Sequence, residues 1–310
     1  MNHLQKSILF TLSYFDLFVY PLTDDEIYLW LFDISGADKS SRLDIYEELD
    51  ILVGEKKIKR KDGYYFLPGK QDTVATRQKR EKISLKKIIK ARRIARLLGF
   101  IPGLKMIAIC SNLGYLNAEE NADIDFFIIA QTGKIWTVRF WSAFLMKILR
   151  QRPTRQKTKN KICLSYYVAD NNLNLEHTKI SHTDIHLIYI TSQYLPIYDE
   201  DNTWQKYMEE NKWINNYLPN FNYLPDVKKY IIKPRLLWLK KKVSLTITPL
   251  EENFYKKIQL KIMPKELKLA SQKNDKKVIV NNNMLKLHLN DKREEYNGKI
   301  FNSQFLIFKQ

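Results

Sequence analysis

One stretch constrains this chain more than any other: Ile109-Cys110-Ser111-Asn112, ten intervening residues, then Asp123-Ile124-Asp125-Phe126. A short apolar run, Met106–Cys110, ends in a small polar pair, and a second, Ile124–Ala130, opens with Asp-x-Asp. Runs this short, rich in β-branched and aromatic residues, read as buried strands. Side chains alternate along a strand, so Asp123 and Asp125 share one face while Ile124 and Phe126 pack behind. Two carboxylates side by side at a strand edge repel unless a cation lies between them. Mg²⁺ suits that place, because hard oxygen donors and substrate phosphates complete its octahedron. An isolated Asp-x-Asp arises about once by chance in a chain of this size, so the surrounding pattern carries the information.

A third apolar run, Ile162–Val168, follows an amphipathic helix over Lys134–Leu149. Trp136, Phe140, Phe144, Leu145 and Ile148 fall on one face of that helix and are assigned to the core. Strands interspersed with such a helix predict an α+β fold with a mixed sheet and flanking helices.

The stretch over 104–130 resembles the signature of the nucleotidyltransferase superfamily, the DNA polymerase β-like fold. In that family a strand ends in Gly-Ser, and Asp-hydrophobic-Asp follows about ten residues later on the next strand. Ser111-Asn112 occupies the Gly-Ser place here, and the likeness extends more loosely to about residue 200. The resemblance implies transfer of a nucleoside monophosphate from a nucleoside triphosphate to an acceptor hydroxyl, with two Mg²⁺ ions. Asp123 and Asp125 would hold metal, and Ser111 and Asn112 would hold the triphosphate. A third carboxylate on a later strand would help activate the hydroxyl. The strand Lys161–Val168 contains no acid, so Asp170, at its end, is the nearest candidate, with Glu176 beyond it. The alternative is a non-catalytic regulator that binds nucleotide or nucleic acid and retains the fold.

Charge favours phosphate-bearing partners. The 310 residues hold 52 Lys and Arg against 34 acids, a net of +18, which raises the local concentration of anions. Residues 1–226 carry 32 basic and 27 acidic residues, and 227–310 carry 20 and 7. The last quarter therefore reads as a separate basic helical region. Four units are expected: 1–69, a basic linker helix over 70–100, the nucleotidyltransferase-like domain over 101–202, and the tail over 203–310.

Residues 1–69 have the layout of a winged helix. Leu4, Ile8, Leu12 and Phe15 mark a first helix, Thr23 with Glu26 a capping box, and Ser40 or Ser41 a third helix start. Asp62-Gly63 between Lys57–Lys61 and Tyr64–Leu67 is a two-residue hairpin signal. The basic hairpin, the ten Lys and Arg between Arg77 and Leu97, and the seven within Lys147–Lys161 make nucleic acid a further expected partner. In the tail, Trp204–Tyr217, Asp226–Val243 and Leu250–Ile262 read as helices, and Val278–Val280 with Met284–Leu289 as a hairpin.

Other chemistries find less support. Cys110 and Cys163 sit in apolar runs and read as small buried hydrophobes. His177, His182 and His186 lack further ligands at zinc spacing and read as surface residues around a helix that Ser181 or Thr183 caps. Asp199-Glu200-Asp201 reads as a solvated acidic turn. No nucleophile elbow, P-loop or dinucleotide fingerprint occurs. With no apolar run of about 18 residues and no signal peptide expected, the chain reads as cytoplasmic, without a transmembrane segment. A membrane-surface protein is a third option, which the basic tail permits.

Overall fold

The computed structural model describes residues 1–33, 39–154, 156–222, 225–232, 240, 252–273 and 276–307. It opens with helix α1 (His3–Asp16), strand β1 (Leu22–Thr23) and helices α2 (Asp24–Leu29) and α3 (Arg42–Gly54). Strands β2 (Lys59–Lys61) and β3 (Tyr64–Phe66) complete the module. The expected Thr23–Glu26 capping box is present, and Ser41 caps α3 in the same manner with Asp44. Asp62 and Gly63 both take left-handed φ, 52° and 78°, as a hairpin turn matching the strand twist requires. β1, β3 and β2 form a small antiparallel sheet in that order. β2 starts at Lys59 rather than Lys57, because the Lys57 and Ile58 amides both donate to the Leu52 carbonyl at the end of α3.

Helix α4 (Thr73–Leu98) is the spine between this module and the central sheet. Ile88, Ala91, Ile94, Ala95 and Leu98 pack its apolar stripe against one face of that sheet. Its charges are not all solvated. Arg77 grips Glu26 with both guanidinium arms, at 2.6 and 2.7 Å, a bidentate pair of the strong kind. Arg80 reaches Phe18, Asn117 and Glu119.

The central sheet contains β4 (Leu104–Ile109), β5 (Ile124–Ala130), β6 (Ile162–Ala169), β7 (Leu195–Asp199), β8 (Val278–Val280) and β9 (Met284–Leu287). Their order is β7-β4-β5-β6-β9-β8. β5 and β6 run parallel and the other neighbours antiparallel, which makes the sheet mixed, as expected. α5 (Ile135–Ile148) is the crossover that forces β5 and β6 parallel. Trp136 of its aromatic stripe is buried, whereas Phe144 and Ile148 are exposed. One sheet face is covered by α4 and α5. The other packs on α7 (Thr203–Glu210) through Phe127, Tyr194, Trp204 and Tyr207.

Two expected boundaries do not coincide with packing. The N-terminal module shares its core with α6 (Ile185–Ser192): Tyr14 stacks on Tyr189 at 4.0 Å. The tail is not purely helical either, because β9 pairs with β6 and brings the expected hairpin into the central sheet. Helices Glu252–Ile262 and Arg293–Ile307 agree with a helical tail. Trp204–Tyr217 divides into α7 and a 3₁₀ turn over Lys212–Asn216. Most of Asp226–Val243 lies outside the described residues. Among those described, no helix is long and apolar enough to cross a membrane.

Candidate functional site

β4 and β5 are antiparallel, so the end of β4 lies beside the start of β5. The Cys110 amide donates to the Asp125 carbonyl at 3.1 Å, which sets Ser111 next to the Asp125 side chain. Ser111, Asn112, Asp123 and Asp125 all line one cavity of about 370 Å³. Four residues singled out by the sequence pattern and its family resemblance thus line one cavity.

Ser111, at the position where the family carries glycine, has φ of 58°. That is the left-handed region, which costs a residue with a Cβ roughly 1–2 kcal/mol. The backbone therefore takes a glycine-like turn although the residue is serine. Gly114 closes the same turn, and a Cβ there would lie 2.4 Å from the Gln193 carbonyl oxygen. Asn112 is held by the Tyr115 hydroxyl, which donates to its side-chain oxygen at 2.8 Å.

Asp123 is delivered by a loop pinned to α4. The buried Lys87 ammonium donates to the carbonyls of Glu120 and Ala122, at 3.1 and 2.6 Å, and to Asn160 at 2.7 Å. Burial raises the Asp123 carboxyl, against its own backbone hydrogen bond and the Lys87 charge. Asp125 is pushed up to about 6, chiefly by burial and next by the Asp123 charge. Hydrogen bonds from Cys163 and Ser111 partly offset that rise. The two carboxylates are therefore under-compensated.

Asp170 does not join them. β5 and β6 are parallel, so the end of β6 lies beside the end of β5, at the opposite edge of the sheet from Asp125. There the Asp170 carboxylate accepts from the Thr132 amide and hydroxyl, at 2.8 and 2.6 Å. It ties a loop. Glu176 is away from the cavity too, in an ion pair with Lys179.

The side chain beside Asp125 on β6 is Cys163. Below it the register shifts, with one extra residue on β6 before Phe127 pairs with Tyr166; bulges of this kind re-aim side chains beside functional sites. Cys163 is thus no simple core residue, unlike the buried Cys110. His288, directly after β9, completes a cluster: one donor atom each from Asp125, Cys163 and His288 lies within 4.8 Å of the others. Ser165 Oγ sits 3.2 Å from Cys163 Sγ and 2.7 Å from His288 Nε2. Burial lowers the His288 imidazole to about 4 and raises the Cys163 thiol.

The facing wall comes from the tail. Arg293 is nearly unexposed and pairs with Asp184 at 3.0 Å and Asp291 at 2.9 Å. Lys286 pairs with Asp291 as well, and burial lowers its ammonium to about 8. Above them His186 accepts or donates at 2.8 Å with the Tyr14 hydroxyl, and its ring stands 5.7 Å from Phe18 and 4.6 Å from Tyr296. His186 therefore lines the cavity instead of the outer surface, and Asp184, not Ser181 or Thr183, caps α6. His177 and His182 are exposed.

Sequence reasoning missed Cys163, His288 and the Lys286–Asp291–Arg293 wall. A signal for Cys163 existed, since a helical crossover implies parallel strands and so places the start of β6 beside the start of β5. No family model matches this chain, and no curated protein or solved structure proved similar to it.

Proposed function

We propose that this cavity is a nucleotidyltransferase-type site that takes a nucleoside triphosphate with Mg²⁺ and passes its nucleoside monophosphate to an acceptor hydroxyl. The observation that carries the reading is the shared wall of Ser111, Asn112, Asp123 and Asp125, with Ser111 in a glycine-like turn. Asp123 and Asp125 supply the hard oxygen donors that Mg²⁺ selects, and the triphosphate supplies the others. Phe18 and Tyr296, packed edge to face at 5.0 Å, line the cavity and offer an aromatic surface to a base. Lys292, exposed at its rim, is placed to meet phosphate.

A second reading, nucleotide binding without transfer, is favoured by Cys163 standing beside Asp125. Among the described residues, the remaining acid of the cavity is Asp291, already bound by Lys286 and Arg293. An attacking hydroxyl then has no free carboxylate to take its proton. As for nucleic acid, α3 exposes Asp44, Glu47 and Asp50, which opposes insertion of that helix between phosphate strands. The basic groove of Lys79, Lys82 and Lys86 on α4 is the better track for an acceptor strand.

Thermal unfolding with each nucleoside triphosphate, with and without Mg²⁺, tests the site. We expect a metal-dependent rise in Tm for the natural chain and none for Asp125→Asn. Absence of any rise in the natural chain sinks both readings. Incubation with triphosphate labelled at the α-phosphate, with RNA or DNA at low and high salt, then separates them. Labelled acceptor supports transfer, and binding without label supports the second.

A further inference from the structure

We propose that Asp125, Cys163 and His288 form a binding site for a borderline divalent cation of the Zn²⁺ class. The site shares Asp125 with the nucleotide reading but does not rest on it. Its three donors come from three neighbouring strands of one sheet, β5, β6 and the end of β9. They offer one oxygen, one sulfur and one nitrogen atom, all within 4.8 Å of one another. A tetrahedral ion with bonds of about 2.0–2.3 Å spaces its ligands nearer than that, so small side-chain rotations close the set. Mg²⁺ and Ca²⁺ do not take sulfur and imidazole, whereas Zn²⁺, Co²⁺ and Fe²⁺ do.

The surroundings suit such an ion. Ser165 lies between the thiol and the imidazole and hydrogen-bonds both, the arrangement by which partners behind metal ligands fix their orientation. Cys163 is the direct partner of Asp125 across β5 and β6, and Ser165, two residues further along β6, lies on the same face. Asp125 and His288 open on the cavity, which leaves the fourth position to water or to a ligand oxygen. On binding, the Cys163 thiol passes its proton to solvent and the metal–sulfur bond replaces the sulfur–hydrogen bond, with no change of oxidation state. Three protein ligands with one open position is the pattern of a catalytic, not a structural, zinc site.

The test uses the full chain stripped with a chelator, with Co²⁺ as the spectroscopic probe. We expect about one equivalent of Co²⁺ to give a thiolate-to-cobalt charge-transfer band that Zn²⁺ abolishes. Cys163→Ser should lose the band, and His288→Gln should weaken binding severely. Ser165→Ala should weaken it by about 10- to 100-fold, the range for partners behind metal ligands. Asp170→Asn, at the other end of β6, should bind as the natural chain does. Circular dichroism of the metal-free variants, with Cys163→Ala as a second replacement, separates lost ligation from lost folding.

A missing band in the natural chain, or an undiminished band in well-folded Cys163→Ser, overturns the proposal. Mg²⁺-dependent nucleotide binding, scored on the same samples, keeps the two readings apart. Co²⁺ binding without nucleotide binding sinks only the nucleotide reading, and nucleotide binding without the cobalt signal sinks only this one.

Discussion

The two walls of the cavity hold their charges in opposite ways. On the sheet edge, Asp123 and Asp125 face each other's charge, and burial and that repulsion together push Asp125 up to about 6. On the tail side, Asp184 and Asp291 are as deeply buried but are met by Arg293 and Lys286 at hydrogen-bond distance. Arg293 spends its remaining donors on the carbonyls of Thr178 and Lys276. One wall is a framework that is complete in itself. The other is a deficit of positive charge, and it is there that the proposed cation would sit.

The sharpest way to break this contrast is to remove a charge from the complete wall. Arg293→Met leaves Asp184 buried without its partner, and breaking such a pair costs about 3–5 kcal/mol. Urea denaturation should show that loss. Adding Asp184→Asn to Arg293→Met should recover part of it, because the stranded charge goes. A loss below about 1 kcal/mol in Arg293→Met would mean that the tail wall is not held by its ions.

Asp125→Asn should act with the opposite sign. A carboxyl that titrates near 6 when folded and near 3.8 otherwise binds more protons in the folded state between those values. Its ionisation opposes folding fully above about pH 6, and the penalty fades as pH falls toward 4. Screened by water from the cavity, it amounts to about 1–2 kcal/mol at pH 7. His186 and His288, lowered to about 4 by burial, run the other way and lose stability on acidification. Both remain in the variant, so the difference between the two stability curves reports the Asp123–Asp125 pair free of the histidines. We expect Asp125→Asn to be the more stable at pH 7, with the gap closing by pH 4. A constant gap would show that the carboxylate is already compensated. Asp170→Asn is the matching control, since its amide oxygen still accepts from Thr132, and nucleotide binding should be unaffected.

Legibility follows the same division. That Asp123 and Asp125 share a face was readable because strand alternation acts over short range, while Ser111 and Asn112 came from the family resemblance; all four line one cavity. The capping boxes at Thr23 and Ser41 and the Asp62-Gly63 turn were readable for the same reason. The tail wall was not, because Asp184 meets Arg293 across 109 residues, and nothing local marks either as a partner. His288 reaches the site only through the pairing of β9 with β6. Asp170 shows how a chain-proximity argument misleads, for it stands near the right strand but at the wrong end of it. The parallel crossover through α5 already implied that end, and it is topology, not composition, that corrects the assignment.

The smallest expected effect probes the turn that joins β4 to the site. Ser111 holds φ of 58°, so Ser111→Gly removes left-handed strain while giving the unfolded chain more freedom. Strain relief of about 1–2 kcal/mol less a backbone entropy term of roughly 0.5–1 kcal/mol leaves a net gain between nothing and about 1.5 kcal/mol. The variant also loses the Ser111 hydroxyl bond to Asp125, which should raise that carboxyl further. If the turn serves as a backbone cradle for phosphate, its N–H groups persist in Ser111→Gly and nucleotide affinity holds or tightens. Calorimetric titration with Mg²⁺-nucleotide reads this directly. Weaker binding by a chain that melts no lower would assign the phosphate contact to the hydroxyl. It would also mean that serine stands in the left-handed turn for that contact, with the strain as its cost.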